Sequence, residues 1–173
     1  SAIAPEEVKA IVADLKSDFD YILLDCPAGI EQGFANSVAG ADEAIVVSTP
    51  EISAVRDADR VVGLLEQADL DEPPMLIINR IKKRMVNDGT MMDVDEITHH
   101  LSIKLIGIVF DDDEVIGTSN KGEPIVLNEK SPASKGYRNI ARRLEGQTVP
   151  LMTMKESDES GFFGKIASWF QKK

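Results

Sequence analysis

The hydrophobic period along the chain switches repeatedly between that of a helix and that of a strand. Pro5 followed by Val8, Ile11, Val12 and Leu15 makes an i, i+3, i+4, i+7 stripe with proline at a permitted start, which predicts a helix over residues 5–16. The runs "YILLD" (21–25), "AIVVST" (44–49), "MLIIN" (75–79) and "KLIGIVF" (104–110) are short, continuously apolar and rich in Ile and Val. That is the pattern of strands buried on both faces. Between them, Val55, Val61, Val62 and Leu65 mark one face of a helix over 51–69, "VDEITHHL" (94–101) reads as another, and a last helix over 133–145 ends at Gly146. Such alternation implies right-handed crossovers and an α/β fold, a mostly parallel sheet of Rossmann type flanked by helices in three layers. A chain of 173 residues suits one packed domain, here residues 1–146, and no internal repeat is visible.

In open sheets of this kind ligands sit beyond the carboxyl ends of the strands. The rule gathers Asp25, Thr49, Asn79 and the "DDDE" at 111–114 around one crevice. A carboxylate at the end of an apolar strand is placed to hold a Mg²⁺ water. Gly29 permits a positive φ and Pro27 fixes its own φ at about −65°, so "CPAG" is a turn able to change shape with a ligand. A strand-terminating turn with a helix-capping aspartate accounts for the same spacing equally well. No G-x-x-x-x-G-K-[ST] and no G-x-G-x-x-G occurs in the sequence. If Asp25 serves a magnesium site, the loop that cradles the phosphates is expected upstream of Ser1.

The formal net charge of −11 opposes a phosphate-backbone reader, and no specific nucleic-acid partner is expected. Its distribution is uneven. Residues 147–160 read as a flexible linker, and "GFFGKIASWFQKK" (161–173) then sets Phe162, Phe163, Ile166, Trp169 and Phe170 on one helical face, with Lys165, Lys172 and Lys173 on the other. These three lysines leave 16 basic against 30 acidic residues in the remainder, a formal balance of −14. A basic amphipathic helix with aromatic rings suits an anionic membrane surface, and docking on its own domain is the alternative. Partial burial of rings and about 1 kcal/mol per lysine are set against about 1–2 kcal/mol per residue ordered, so one tail binds weakly. Two tails on a dimer gain about 10²–10⁴-fold in avidity. Cys26 is the sole cysteine; with no secretory h-region near the start, a reducing cytosolic setting is favoured.

Taken together, Asp25 in "DYILLDCPAGIE", the run "ADEAIVVSTPEISAVRDADR", "IINR", "SNKGEP" and the basic aromatic tail resemble the MinD/ParA family, specifically its membrane-cycling ATPases that place the bacterial division septum. The resemblance covers nearly all of the chain, matched to the last two-thirds of the family's length. It implies a deviant phosphate-loop ATPase fold, ATP and Mg²⁺ as cofactors and an ATP-bound homodimer on the cytoplasmic face of the inner membrane. Its implied partners are a division inhibitor of the MinC type and a topological regulator of the MinE or DivIVA type. By the same resemblance Asp25 is the magnesium-site aspartate, Pro27, Ala28 and Gly29 form the second switch, and Gly29 senses the γ-phosphate. Glu51 approaches nucleotide across the dimer, Asn79 and Arg80 belong to the adenine-side loop, and Asp57 and Asp59 meet the inhibitor. The family often has proline where Phe110 stands, so the share of Asp111 and its loop in the base pocket is open.

From spacing alone Asp57 and Asp59 are a solvated helix face, and Asn79 a buried amide satisfied by backbone. His99 and His100 diverge around a helix and read as surface or core residues rather than metal ligands, and Cys26 as a small space-filling residue. A partitioning ATPase, a flagellar-number regulator of the same superfamily and a nucleotide-free membrane adaptor are the competing functions.

Overall fold

A computed structural model describes residues 4–27 and 29–154. Its centre is a parallel sheet of three strands, β1 (Ile45–Ser48), β2 (Met75–Ile81) and β3 (Lys104–Phe110), in the order β1-β2-β3. Helix α1 (Pro5–Leu15) and helix α2 (Gln32–Ala39) precede β1, and α3 (Ile52–Leu65) connects β1 to β2. The short α4 (Lys83–Asn87) and α5 (Val94–Leu101) connect β2 to β3, and α6 (Glu114–Asn120), a 3-10 turn (Ile125–Leu127) and α7 (Pro132–Leu144) follow.

The apolar spacing explains how these elements close on one another. Val55, Ala58, Val62 and Leu65 of α3 and Ile97 and Leu101 of α5 pack on Val46, Leu76, Ile78, Ile81, Ile108 and Phe110. Ile77, Ile106 and Val109 face the other way, against Ala133 and Ile140 of α7. Both crossovers step in one direction across the sheet with their helices on one face, so they share one hand. Local signals fix the ends. Asp93 caps α5 by accepting from Glu96 N at 2.8 Å while Glu96 accepts from Asp93 N at 2.9 Å. Ser131 caps α7 ahead of Pro132, accepting from Ser134 N at 3.0 Å. Helix α7 lies close against β3: a Cβ on Gly136 would stand 2.9 Å from the Ile108 carbonyl, and one on Gly107 would run into Ile140 Cγ1.

Two expectations fail. Residues 21–25 form no strand: the segment makes no ladder with a neighbour among the described residues, leaving Tyr21 and Leu23 exposed. An apolar run becomes a strand only when another strand satisfies its backbone. Strand β1 is likewise buried on one face only. Val46 and Ser48 are inside, whereas Ile45 and Val47 are exposed because α7 covers β2 and β3 but not β1.

The stretch 147–154, expected as the start of a linker, is held to the body. Gly146 turns with φ +79°, Arg143 Nη1 donates to the Ile106 carbonyl at 2.8 Å and Nε to that of Val149 at 2.9 Å, and Nη2 reaches Pro150 O. Met152 is buried in the same core as α3 and α5. Residues 155–160, and the amphipathic segment 161–173 with Phe162, Phe163, Lys165, Ile166, Trp169, Phe170, Lys172 and Lys173, lie outside the described residues, as does Ala28. No helix among the described residues is long and apolar enough to cross a membrane.

Candidate functional site

The ends of β2 and β3 form one polar corner, and a bulge shapes it. Ile78 pairs with Ile108 and Ile81 with Phe110, so Asn79 and Arg80 together oppose Val109 alone. Arg80 takes the left-handed conformation, φ 58°, and its N–H donates to Asn79 Oδ1 at 2.9 Å. That bond engages one lone pair of the Asn79 amide oxygen, and its NH₂ remains as the donor end of the amide. Arg80 Nε donates to Asp111 Oδ1 at 3.4 Å, and Lys82 Nζ lies 3.7 Å from Asp111 Oδ2. Asp111 N donates to the Ile81 carbonyl at 3.0 Å, tying the two strand ends by backbone as well as charge. An uncomplemented αL arginine costs roughly 1–2 kcal/mol, so these bonds hold a conformation that Arg80 would not adopt alone.

Beside this corner is an open cleft of about 660 Å³, lined by the buried Ile81 and Phe110 and by Lys82, Lys83, Arg84, Asn87 and Asp111. The loop that follows Asp111 is held in turn. Asp112 accepts from Ser131 Oγ at 2.6 Å and from Glu114 N at 3.0 Å, which pins the loop after β3 to the start of α7.

Asp25 sits at the end of this unpaired segment, exposed, and makes no hydrogen bond or ion pair with other described residues. Gly29 has φ +105°, a conformation that favours glycine, with open space where a Cβ would stand. Pro27 packs on α2, its Cγ 2.5 Å from a Cβ position on Gly33. Cys26 is exposed and does not fill space, because no strand covers this segment. Glu51 is the exposed N-cap residue of α3, without a side-chain cap bond. Asp57 and Asp59 are exposed on α3, Asp57 lying 3.6 Å from Arg60. A groove of about 350 Å³ runs beside them between α3 and α5, lined by Ile52, Val55, Arg56, Met92, Glu96 and His100. His99 and His100 are exposed, and no group of three potential metal-ligating side chains occurs among the described residues. Thus Asn79, Arg80 and Asp111 are joined by direct contacts, while Asp25, Glu51, Asp57 and Asp59 make none with that corner.

Sequence reasoning missed Lys82 and Arg143, and it gave Asp112 a place at the crevice but not its bond to Ser131. For Arg143, a signal existed in the Arg-Arg pair closing a helix just before a glycine, a pattern that supplies donors to terminal carbonyls.

A parallel sheet with helices on both faces and its polar corners at the carboxyl ends of the strands is the architecture of P-loop NTPases. Residues 2–140 match the family model described as "Cellulose biosynthesis protein BcsQ". The septum site-determining protein MinD of Bacillus subtilis (strain 168) is 58% identical over 170 residues, covering 98% of this chain and 63% of that protein. The MinD cell division protein of Aquifex aeolicus shares 45% identity and a TM-score of 0.83, over 87% of this chain and 64% of its own. A chain in the MinC:MinD cell division protein complex of Aquifex aeolicus gives 45% and 0.82, over 87% and 63%. The chain belongs to the family that this model and these relatives mark out, the MinD/ParA family of P-loop ATPases. It spans a little under two-thirds of the length of these relatives.

Proposed function

We propose that the chain works in an ATP-dependent, dimeric membrane switch that places the division septum by bringing a MinC-type inhibitor to the cytoplasmic face of the inner membrane. The observation that carries this reading is the identity with a septum site-determining protein across nearly all of the chain.

The residues fit the cofactors. Asp25 has both carboxylate oxygens free of partners among the described residues and so is available to a Mg²⁺ water, and a Cβ built on Gly29 would meet no described atom within 4 Å. The NH₂ of Asn79 suits an acceptor on a base edge, with the bond from Arg80 N–H fixing where that amide stands. Bound Mg²⁺ supplies neutralisation of phosphate charge. The Walker-type loop that cradles phosphates is not among the 173 residues, so hydrolysis is a property proposed for the protein in which such a loop is joined to this chain. Glu51 reaches the nucleotide of a second copy, Asp57 and Asp59 take the inhibitor, and residues 161–173 of two copies bind lipid together where one binds weakly. A MinE or DivIVA-type regulator then acts by shifting the dimer equilibrium.

The test is a chimera joining this chain to the remaining part of the Bacillus subtilis relative. It should sediment with vesicles of phosphatidylglycerol and phosphatidylcholine in ATP and not in ADP, and Asp25→Asn should remove the difference. Asp57→Ala with Asp59→Ala should abolish inhibitor capture while vesicle binding persists. Equal sedimentation in both nucleotides would overturn the switch in favour of a plain membrane adaptor.

A further inference from the structure

Helix α7 packs on Ile77, Ile106 and Val109, the face of the sheet turned away from α3 and α5. It closes with Gly146 at φ +79° and with Gln147 N–H donating to the Arg142 carbonyl at 2.9 Å. The chain does not leave the body there. The Arg143 guanidinium is anchored by Nη1 to the Ile106 carbonyl at 2.8 Å, and from that anchor Nε holds the Val149 carbonyl at 2.9 Å and Nη2 that of Pro150. Met152, buried, and Met154, half-buried, then pack in the cluster built by α3 and α5. Residues 148–154 therefore cross from one layer of the fold to the other. The chain departs from the layer that also carries Asp57 and Asp59 on α3.

With this crossing held, the six residues 155–160 separate the body from the basic aromatic residues 161–173; with it released, the thirteen residues 148–160 would do so. A chain spans at most about 3.4 Å per residue, so the reach is about 20 Å in the first case and about 45 Å in the second. We propose that Arg143 is a positioning residue for membrane attachment, which keeps the tether of the tail short by clasping residues 148–154 to the body. The inference rests on the membrane reading given above and adds to it the length and the starting point of the tether. Two effects depend on that length. The effective concentration of the second tail of a dimer falls roughly as the −3/2 power of linker length, so release lowers avidity about three-fold. The body without the tail has a formal balance of −14 and is repelled by anionic lipid. A short tether holds it near the surface against that repulsion, and a long one lets it stand off.

Cys26 is the sole cysteine and is exposed, so the full chain takes a fluorescent donor there without substitution. The labelled chain is bound to an excess of vesicles of equal parts phosphatidylglycerol and phosphatidylcholine that carry an acceptor on a fraction of their headgroups. Energy transfer per bound protein then reads the height of the body. Arg143→Met should lower it. A seven-residue Gly-Ser insertion after Ser160 lengthens the tether with the clasp intact and should lower it as much. Met152→Ala, which loosens the same crossing from its other end, should act in the same direction, and far-ultraviolet circular dichroism should be unchanged throughout. In the chimera with the Bacillus subtilis relative, Arg143→Met and the insertion should each weaken ATP-dependent vesicle binding about three-fold. No change of transfer in Arg143→Met would overturn the proposal, and so would an insertion without effect. Trp169→Ala with Phe170→Ala separates this from the reading beneath it. Vesicle binding that survives that pair overturns the membrane reading and the tether together, whereas binding lost there with transfer indifferent to Arg143→Met overturns the tether alone.

Discussion

Replacing Arg143 by methionine should detach the segment that follows α7 from the body. The bulge in β3 explains why this side chain matters. Leu76 pairs with Leu105 and Ile77 with Gly107, so Ile106 is an extra residue opposite no partner, and its carbonyl is buried where the ladder passes it by. Arg143 Nη1 satisfies that carbonyl, and its other two donors hold Val149 and Pro150. A buried acceptor left unpaired costs about 1–3 kcal/mol, while the two more accessible carbonyls regain water and cost about 0.5–1.5 kcal/mol each. The sum is roughly 2–6 kcal/mol if the segment stays in place. It can instead let go, forfeiting the burial of Met152, worth about 1.5–3 kcal/mol. Because release removes both sets of contacts at once, Arg143→Met and Met152→Ala should be less than additive. Urea unfolding of the two single variants and the double variant measures this, with a coupling above about 1 kcal/mol expected. Proteolysis within 147–154 should also speed up in either single variant. A cost for Arg143→Met under about 0.5 kcal/mol, or additivity in the cycle, would refute the clamp. Burial holds the pKa of Arg143 below its usual value, yet the guanidinium stays charged at every pH used in such assays.

Gly107→Ala should destabilise by about 1–3 kcal/mol, because the new methyl group meets Ile140; pairing it with Ile140→Val should recover part of the loss in thermal unfolding. Asp88 titrates below its ordinary value chiefly because the Thr90 hydroxyl donates to it, so Thr90→Val should raise its midpoint in a carbon-13 NMR titration. A depressed carboxylate adds stability that is present above the ordinary carboxylate range and is lost as pH falls through the lowered value, and the variant should show less of that acid dependence. Val47→Lys should reduce concentration-dependent association seen by light scattering, because Ile45 and Val47 leave an apolar face at the β1 end of the sheet.

The elements legible in the sequence are those whose pattern and caps agree. Helix α5 announced itself by Asp93 and Glu96 three residues apart, and β2 and β3 by unbroken Ile-rich runs between turn residues. Helices α4 and α6 have five and seven residues, too short for a 3.6-residue period to show, and Gly33 and Asn36 blur the one in α2. Residues 21–25 have the composition of a strand, but hydrogen bonding depends on a neighbour that composition does not specify. The same holds for the site. That Asp25, Asn79 and Asp111 follow apolar runs was readable; that Arg80 is left-handed and bonded to Asp111 depends on a bulge between strands 31 residues apart.

The two halves of the candidate nucleotide site are prepared to different degrees. At the ends of β2 and β3 the geometry is built in: Asn79, Arg80, Lys82 and Asp111 are locked by one another, and Asp112 by Ser131. On the proposed reading, a base entering there would meet side chains already held in place, so little ordering would oppose its binding. Among the described residues, the segment bearing Asp25 and Gly29 is approached at its margins, with Leu24 near Gly40 and Pro27 near Gly33. Its carboxylate has no internal partner among the described residues, and Gly29 leaves the turn free to change φ at low cost. A ligand that touches both halves gains little from the first beyond affinity, since that half is the same before and after. It orders the second, and only such a differential contact can shift a conformational equilibrium. If the chain works as a switch, the phosphate end of the nucleotide must therefore operate it, with the base end setting identity. Adenosine alone should bind at the Asn79 corner without altering the amide exchange of residues 21–30.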